Sequence, residues 1–349
     1  MPVPAPMEAL LATELPQGEG WQYEPKWDGF RCLARRDGDE VTLTSKSGKP
    51  LARYFPDVVE MLEGIKSKHF LLDGELIIPV GDALSFEALQ LRLHPAESRV
   101  RKLAAQSPAE LMAFDLLELD GKVLTGEPLA ERRQQLESFF RKNAVPGLHL
   151  SPATSDRKVA LEWLSRSGGA LDGVIAKRTG LEYRPGERAM IKVKQQRTAD
   201  CVVGGFRYAE KSRAEPVRGT GEHGSREVGS LLLGLYDDQG LLDHVGFTSA
   251  IPTKERAKLT ADLERLVAPP GFSGSKPGGP SRWNTERTGQ WQPLRPELVV
   301  EVKYDQVTAR RFRHGTGFVR WRPDKDPRQC TFEQLAPGLR PSELKELFG

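Results

Sequence analysis

The chain has 349 residues, of which 28% are charged and 38% hydrophobic, and its formal net charge is +3. This length is enough for two domains with separate cores, and the composition is that of a water-soluble globular protein. No apolar run reaches membrane-spanning length, and the first residues lack the basic start and apolar stretch of a signal peptide. Three scattered cysteines exclude a disulfide framework and predict a cytoplasmic location. The small net charge means that a polyanion would have to be bound by local basic patches.

The part of the chain up to residue 197 mixes short strands with helices. Turn signals at Asp37-Gly38-Asp39 predict a β-hairpin with strands at 30–36 and 41–46. Apolar spacing then predicts a helix at 57–66. The other elements predicted in this part are strands at 70–79, 111–117, 173–177 and 190–194, and helices at 127–142 and 156–167.

The pattern changes after residue 197. The predicted elements are strands at 201–208, 230–236, 241–248, 299–304 and 316–322, with one helix at 253–267. Several short strands with one helix are typical of a small barrel such as the OB-fold. Two stretches, 209–229 and 269–280, are predicted to be mobile loops because of their composition. We therefore predict an α+β protein in which domain 1–197 has antiparallel sheets and helices and domain 198–349 is an OB-fold β-barrel.

Lys26 stands in the sequence EPKWDGFR, between a proline and bulky aromatic residues. A solvated lysine rarely has such neighbours, and a buried lysine is costly unless its charge is used. An unprotonated lysine can attack the α-phosphate of a nucleotide, provided that nearby cations or burial lower its pKa. Lys192 and Lys194 alternate on a predicted strand and so point to one side, and Lys177 is predicted on a neighbouring strand. The pattern favours phosphoryl transfer through a covalent lysine.

Other residues suit a nucleotide site. Asp172 and Glu75 are predicted strand-end carboxylates, able to hold a divalent ion or a ribose hydroxyl, and Phe114 offers a flat surface for a base. Each short motif alone is weak, because an Asp-Gly pair usually forms a turn and a Lys-x-Lys strand is usually a solvated face. The whole ordered series is not expected by chance.

The series resembles the covalent nucleotidyltransferases, which include ATP-dependent DNA ligases and mRNA capping enzymes. Over nearly the whole chain it is most similar to compact bacterial ATP-dependent ligases of the ligase C type. The resemblance implies an adenylation domain followed by an OB-fold, with ATP and Mg²⁺ as cofactors and Lys26 as the residue that carries AMP. It implies a monomeric enzyme of DNA repair that acts on nicked duplex DNA, with repair polymerases or DNA-end-binding proteins as partners.

The resemblance also assigns residues to parts of the nucleotide. Glu24 would lie at the adenine edge and Phe114 would stack on the base, while Arg31 and Glu75 would contact the ribose. Lys192 and Lys194 would hold the α-phosphate, with Arg188 as the arginine expected just before Lys192. The strand pattern described above adds Lys177 to the same phosphate-binding face.

Two residues depart from the family pattern, and one motif lies in the second domain. Lys46 stands where the family usually has an arginine for the nick phosphate. Asp172 stands where a glutamate usually serves the metal, and Glu75 is the other carboxylate expected near it. The residues that match the motif orienting the pyrophosphate are Arg322, Asp324 and Lys325. The basic side chains available for duplex DNA are Lys46, Lys49, Arg53, Arg310, Arg311 and Arg313, with those of the loop 209–229.

Three other functions would explain part of the pattern. A GTP-dependent mRNA capping-type guanylyltransferase shares the nucleophile and the barrel, although the stretch FDLLELDG at 114–121 has the form found in ligases. An NAD-dependent ligase would need a nicotinamide-binding region before Lys26 and a cysteine-held zinc, which three scattered cysteines cannot supply. A non-catalytic OB-fold binding module would leave the residues of the first domain without a use.

Overall fold

The computed structural model describes residues 3–81, 83–167, 171–195, 197–209, 227–278, 290–308, 310–313 and 315–335. The chain forms two compact units, and the division between them falls after Gln195. Most of the loop predicted at 209–229 lies outside the described residues, as do the last two residues of the loop predicted at 269–280. In the described parts of the chain, no helix is long and apolar enough to cross a membrane.

The first unit combines strands with helices. Its strands are β1 (Ala9–Ala12), β2 (Trp21–Trp27), β3 (Phe30–Asp37), β4 (Glu40–Ser45), β5 (His69–Ile77), β6 (Pro79–Val80), β7 (Ala83–Leu84), β8 (Glu110–Leu119), β9 (Lys122–Val123), β10 (Leu148–Leu150), β11 (Leu171–Arg178) and β12 (Met190–Val193). Its α-helices are α1 (Pro56–Glu63), α2 (Phe86–Arg92), α3 (Glu97–Gln106), α4 (Leu129–Lys142) and α5 (Arg157–Ser165).

These strands form two main sheets. One has the order β1-β12-β11-β2, and the other has the order β10-β8-β5-β3-β4 with β9 beside β8. The β1–β12 and β10–β8 pairs are parallel and the other pairs are antiparallel. The second sheet packs against α1 and α4, where Phe70 and Phe139 meet edge to face with ring centroids 5.1 Å apart. The turn Asp28-Gly29 carries the chain from β2 in one sheet to β3 in the other.

The second unit is built on one antiparallel sheet. Its strands are β13 (Arg197–Tyr208), β14 (Val228–Tyr236), β15 (Leu242–Thr248), β16 (Gln292–Pro293), β17 (Val299–Tyr304), β18 (Val307–Thr308), β19 (Arg311–Phe312) and β20 (Gly317–Trp321), with helix α6 (Thr253–Glu264). The sheet order is β15-β14-β13-β17-β20, with β16 beside β13. This arrangement is consistent with the predicted OB-fold, and the two units together confirm the α+β class.

Over its described part, the loop predicted at 269–280 contains no helix or strand, and it is anchored to the core. Phe272 is fully buried in the core of the second unit. A Cβ atom added to Gly204 would lie 2.6 Å from the Phe272 ring, so the sequence leaves space for that ring by placing a glycine on β13. A segment rich in Gly and Pro is therefore held by one buried aromatic side chain.

Most predicted strands are found with shifts of a residue or two, but β13 begins four residues earlier than predicted. The elements that were not predicted include β1, β2, β10, α2 and α3. Every residue of β2 except Lys26 is buried, so the strand lacks the polar–apolar alternation that marks a half-exposed strand. Pro25 inside it also argues against a strand. In α3 the buried side chains are only Val100 and Ala104, which leaves a weak apolar pattern. The predicted helix at 57–66 ends earlier, at Glu63 before Gly64.

Candidate active site

A cleft with an open volume of about 860 Å³ lies in the first unit, and strands of both main sheets line it. Strands β2, β11 and β12 contribute from one sheet and β3, β5 and β8 from the other, together with the chain around Met7. The charged residues that line it are Glu8, Glu24, Lys26, Arg31, Lys46, Glu75, Lys177 and Lys192, and Phe114 lies in the same wall. Most of the residues predicted in the first domain are thus brought together.

Lys26 contacts a carboxylate. Its Nζ lies 2.6 Å from Oδ2 of Asp172, and Nζ of Lys194 lies 3.0 Å from the same oxygen. Burial alone would raise the pKa of Asp172, but the two ammonium groups lower it below its ordinary value. One charged carboxylate therefore holds two lysines, both of which are about one-quarter exposed, at 24% for Lys26 and 26% for Lys194.

Gly173 explains how Asp172 reaches Lys26. The pairing of β11 with β2 shifts register between Leu171 and Val174, which is a β-bulge. Gly173 has φ of 131°, in the region that favours glycine, and an added Cβ would overlap the carbonyl oxygen of Val193. The bulge directs the preceding side chain, Asp172, toward the lysines.

Lys192 completes this part of the cleft. It lies on β12 opposite Ile175 of β11. Partial burial lowers the pKa of Lys192, and the ammonium groups of Lys26, Lys194 and Lys46 lower it further. The like-charge repulsion expected among these lysines is therefore visible at Lys192, while Lys26 is in contact with a carboxylate.

A second set of contacts surrounds Phe114. Nζ of Lys177 lies 2.8 Å from Oε2 of Glu24, and both side chains are almost fully buried. The amide of Gln22 donates to the other Glu24 oxygen at 2.7 Å. The ammonium of Lys177 also lies 4.8 Å from the centre of the Phe114 ring. Lys177 is therefore placed with Glu24 and Phe114, the residues expected around the base, and not with the phosphate lysines among which it was predicted.

Arg31 is held by a buried carboxylate that was not predicted. Its Nε and Nη2 atoms donate to the two oxygens of Asp73 at 2.5 and 2.6 Å, and its guanidinium lies 4.6 Å from the centre of the Phe114 ring. The hydroxyl of Tyr183 donates to Asp73 Oδ2 at 2.7 Å. The strand that holds Asp73 was predicted, but its pairing with Arg31, 42 residues away in the chain, was not. Tyr183 was overlooked because it lies in a loop between two strands.

Glu75 lies between Lys26 and Arg31. Burial raises the pKa of Glu75 to about 7, although the charges of Lys26 and Arg31 oppose the shift. One of its oxygens accepts a hydrogen bond from the backbone N–H of Gly29 at 3.2 Å. An added Cβ at Gly29 would overlap the carbonyl oxygen of Leu76, so the Asp28-Gly29 turn passes directly over β5.

Two predicted residues are placed at or beyond the rim. Lys46 lines the cleft but its side chain is 61% exposed, and its Nζ lies 3.3 Å from Glu8 Oε2. Arg188 is exposed and does not belong to the lining of the cleft. The choice of Arg188 as the arginine next to the phosphate lysines therefore gains no support from its position.

The carboxylates fit a magnesium ion that shares its ligands with a nucleotide. No group of three or more His, Cys, Asp or Glu residues with metal-ligand geometry occurs among the described residues. Magnesium usually takes one or two protein carboxylates together with substrate phosphates and water. Asp172, charged and beside the lysines, and Glu75 in the lining of the cleft are donors of this kind.

In the second unit, Arg322, Asp324 and Lys325 form a charge network with Asp200. Nη1 of Arg322 donates to both oxygens of Asp200 at 2.8 and 3.0 Å, and its Nη2 donates to Asp324 at 2.9 Å. The hydrogen bonds from Arg322 lower the pKa of Asp324 to about 2. Nζ of Lys325 lies 3.9 Å from Asp200. Asp200 lies on β13 and was not identified from the sequence.

The predicted basic patches are engaged in local contacts. Arg310 stacks on Phe332 at 3.9 Å, Arg311 bonds to His244 at 2.9 Å, and Arg313 donates to Gln306 at 2.8 Å. In the first unit, Arg53 donates to the carbonyl oxygen of Pro95 at 2.9 Å. The basic residues of the loop 209–229, Lys211, Arg213, Arg218 and Arg226, lie outside the described residues.

Two family models match the chain. The ATP dependent DNA ligase domain matches residues 6–194, and the ATP dependent DNA ligase C terminal region matches residues 224–325. The first match covers more than half of the chain and includes every lining residue of the cleft.

Known proteins resemble the chain over nearly its whole length. DNA ligase C2 of Mycolicibacterium smegmatis is 46% identical over 96% of each chain, and DNA ligase C of Mycobacterium tuberculosis is 44% identical over 97% of this chain and 99% of its own. A solved structure of a Lig E DNA ligase, described as binding DNA with a minimal scaffold, aligns with a TM-score of 0.51 at 19% identity. It covers 90% of this chain and 99% of that one, and it supports the fold alone.

Proposed function

Because the chain belongs to the family of ATP-dependent DNA ligases, we propose that it seals nicks in duplex DNA by phosphoryl transfers that begin on Lys26. The observation that carries the proposal is the contact of Lys26 with Asp172 in a cleft that Lys192 also lines. The family makes a GTP-dependent capping enzyme the weaker alternative. In this assignment, residues 1–197 are the adenylation domain and residues 198–349 the OB-fold domain.

The first transfer requires a neutral amine at Lys26. Its Nζ forms a bond to the α-phosphorus of ATP while the bond from that phosphorus to the bridging oxygen breaks, and pyrophosphate leaves. The Lys26 side chain is 24% exposed, and its Nζ gives up its proton to solvent as the ion pair with Asp172 opens. Lys194 shares the same oxygen of Asp172 and keeps that carboxylate balanced by a positive charge when Lys26 is released.

The remaining residues of the first domain hold the nucleotide. Lys192 and Lys194 bind α-phosphate oxygens, and Arg31 with Glu75 faces the ribose. Phe114, Glu24 and Lys177 form the base subsite, in which the pair Glu24–Lys177 presents a fixed hydrogen-bonding edge. A bound Mg²⁺ ion stabilises the negative charge that develops on the phosphoryl oxygens, and Asp172 and Glu75 are the side chains that would hold it.

The two later transfers use the same chemistry on DNA. AMP passes from Lys26 to the 5′-phosphate of the nick, with cleavage of the nitrogen–phosphorus bond, and the 3′-hydroxyl then displaces AMP. Arg322, Asp324 and Lys325 serve the first transfer by orienting the pyrophosphate leaving group, which must leave in line with the attacking amine. Lys46, at the rim of the cleft, serves the nick phosphate.

We infer that the enzyme acts in DNA repair. A nick with a 5′-phosphate and a 3′-hydroxyl is what remains when a repair polymerase fills a gap or when broken ends are brought together. Such reactions would supply the substrate, and repair polymerases or end-binding proteins are the proposed partners. The proposal includes a monomeric state and a cytoplasmic location. The three free, buried thiols among the described residues agree with a reducing compartment.

The direct test is to incubate the protein with ATP or GTP labelled at the α-phosphate and to separate it by denaturing electrophoresis. We expect label from ATP and not from GTP, and none with Lys26→Ala. Lys68→Ala removes an exposed lysine that does not line the cleft and controls for the loss of an ammonium group. Label that persists in Lys26→Ala, or that comes from GTP, contradicts the assignment.

A further inference from the structure

Tyr183 lies behind the wall of the cleft without lining it. It belongs to the loop between β11 and β12, and its side chain is 4% exposed. Burial raises the pKa of Tyr183, and the neighbouring carboxylate of Asp73 raises it further, so the hydroxyl keeps its proton. Tyr183 is therefore a permanent hydrogen-bond donor inside the protein.

The hydroxyl joins two parts of the cleft wall. It donates to Oδ2 of Asp73 at 2.7 Å and accepts from the backbone N–H of Met7 at 2.9 Å. Met7 lines the cleft, and Asp73 holds Arg31, which also lines it. A single phenol thus connects the segment before β1 with the guanidinium of Arg31.

Oδ2 of Asp73 serves two donors. It accepts from Nη2 of Arg31 at 2.6 Å and from Tyr183 at 2.7 Å, while Oδ1 accepts from Nε of Arg31. Asp73 is fully buried, so a lost donor would not be replaced by bulk water. Because a bidentate pair fixes the plane of the guanidinium, the position of Arg31 depends on the orientation of the Asp73 carboxylate.

The ring of Tyr183 supports a third part of the wall. The guanidinium of Arg132 lies 5.7 Å from its centre. Arg132 donates to both oxygens of Asp115 at 2.8 and 2.9 Å, and both side chains are buried. Asp115 follows Phe114 on β8, so the same side chain contacts the support of the aromatic platform.

We propose that Tyr183 is a positioning residue that orients Arg31, through Asp73, for recognition of the ribose of ATP. The inference rests on the proposed function, in which Arg31 faces the ribose. Loss of the hydroxyl leaves Asp73 with one donor fewer and the Met7 N–H without its acceptor. The guanidinium of Arg31 then samples more than one orientation, and the hydroxyl groups of the ribose are recognised less well.

The test is Tyr183→Phe, which keeps the ring and its contact with Arg132. Rates of lysyl-AMP formation would be measured over a range of ATP and of 3′-deoxy-ATP concentrations. We expect the KM for ATP to rise about 3- to 10-fold with little change in kcat, as fits the loss of one buried hydrogen bond. We also expect the preference for ATP over 3′-deoxy-ATP to fall by a similar factor.

The matched control is Tyr23→Phe. Tyr23 is also buried, and its hydroxyl donates to the carbonyl oxygen of Pro16 at 2.9 Å. It should lower thermal stability without changing the ratio of the two nucleotides. If Tyr183→Phe changes stability alone, in the manner of Tyr23→Phe, the inference is overturned.

A double variant tests whether the effect of Tyr183→Phe passes through Arg31. In an Arg31→Ala background, Tyr183→Phe should leave the nucleotide preference unchanged, because the group through which it acts is gone. An effect of equal size in both backgrounds contradicts the route through Arg31. A parent protein that takes no label from ATP would instead contradict the proposed function.

Discussion

The cleft has one end proposed to bind the phosphates and another proposed to bind the ribose, and the two ends hold their charged side chains in different ways. At the phosphate end, Lys26 and Lys194 share Asp172 and remain about one-quarter exposed. At the ribose end, Arg31 is paired with a fully buried Asp73, which Tyr183 also holds. The first end has more cationic than anionic groups, since Lys192 lies beside these two lysines. Their repulsion contributes to the lowered pKa of Lys192. The second end is paired within the protein before any ligand arrives.

The difference follows from what each end must do. A site that exchanges ATP, a covalent AMP and a DNA phosphate needs charges that can change partners, and partly exposed lysines around one carboxylate allow this. The ribose is the same group in all of these states, so the side chains that bind it need not change partners. A rigid and buried support is therefore suitable at that end. In the second unit, Arg322 is also paired within the protein, with Asp200 and Asp324.

The largest expected effect comes from removing the shared charge of the phosphate end. We expect Asp172→Asn to slow lysyl-AMP formation about 100-fold, because Lys26 and Lys194 lose the carboxylate that holds both. The Mg²⁺ concentration for half-maximal labelling should also rise. Labelling rates over a Mg²⁺ titration measure both effects.

The control for this variant is Asp39→Asn, which neutralises an aspartate whose side chain is 93% exposed and paired with Lys68. It should leave both the rate and the titration unchanged. If the Mg²⁺ titration of Asp172→Asn coincides with that of the parent, Asp172 has no part in holding the metal.

A smaller effect is expected from the charge network of the second unit. Asp324→Ala and Lys325→Ala should each slow lysyl-AMP formation about 10- to 30-fold, because the pyrophosphate is oriented less well. Both variants should seal nicks that already carry AMP at close to the parent rate, since no pyrophosphate leaves in that step. The two assays are labelling with ATP and sealing of a synthetic adenylated nick.

The contrast between the two assays decides the role of this network. Arg295→Ala is the matched control, because the exposed Arg295 pairs with Glu297 two residues along the chain and takes no part in the ion pairs of this network. Equal losses in labelling and in sealing would show that Asp324 and Lys325 support the fold of the second unit alone.

Glu75 lies where the two ends meet, and its pKa predicts a pH-dependent stability. Burial raises that pKa from 4.5 to about 7. The neutral acid therefore stabilises the folded state below about pH 4.5, and this contribution is lost as the pH rises through about 7. We expect Glu75→Gln to raise the Tm at pH 8.5 by a few degrees, equivalent to about 1–2 kcal/mol, and to leave it unchanged at pH 4.5.

Thermal unfolding at the two pH values provides the measurement. Glu137→Gln is a suitable control, because Glu137 is exposed and pairs with Arg133 on the same helix. A Glu75→Gln difference of the same size at both pH values would mean that the carboxyl group does not change its charge in this range.

The lysines of the phosphate end were predictable from the strand pattern, and Arg31 and Glu75 of the ribose end from the resemblance, whereas the buried support of Arg31 was not predictable. Lys26 attracts notice because a lysine among buried strand residues is unusual. Lys192 and Lys194 do so because residues two apart on a strand point to the same side of the sheet. Asp73 lies within β5, where a strand was predicted, but its pairing with Arg31, 42 residues away, has no local signal. The contacts of Tyr183 join residues 110 and 176 positions away, and no local pattern encodes such distances.

The elements of the fold also differ in how well the sequence predicts them. Strands with a regular apolar pattern, such as β17, were predicted to the residue, because the periodicity is set by one buried face. The strand that carries Lys26 was not predicted, since it is buried on both faces and contains Pro25. The bulge at Gly173, which directs Asp172, depends on the carbonyl oxygen of Val193 on the neighbouring strand. The sequence around Gly173 does not contain that information.

The smallest expected effect concerns Lys46, at the outer rim of the phosphate end. Its side chain is 61% exposed and pairs with Glu8, so it is the most easily rearranged cation of the cleft lining. The family usually has arginine here, and a guanidinium can bind a phosphate with two parallel hydrogen bonds where an ammonium acts as a point charge. We expect Lys46→Arg to lower the KM for nicked duplex about 2- to 3-fold, with the rate of lysyl-AMP formation unchanged.

Steady-state sealing at low substrate concentration measures this change, and Lys122→Arg is its control. Lys122 is 66% exposed, pairs with Glu127 as Lys46 pairs with Glu8, and does not line the cleft. Both substitutions keep the net charge, so the number of neutralised phosphates and the salt dependence of binding should stay the same. A benefit of Lys46→Arg alone places that side chain on a DNA phosphate, since only a directed contact distinguishes a guanidinium from an ammonium. Equal KM values for the two variants would instead mean that Lys46 contributes only its charge at the rim.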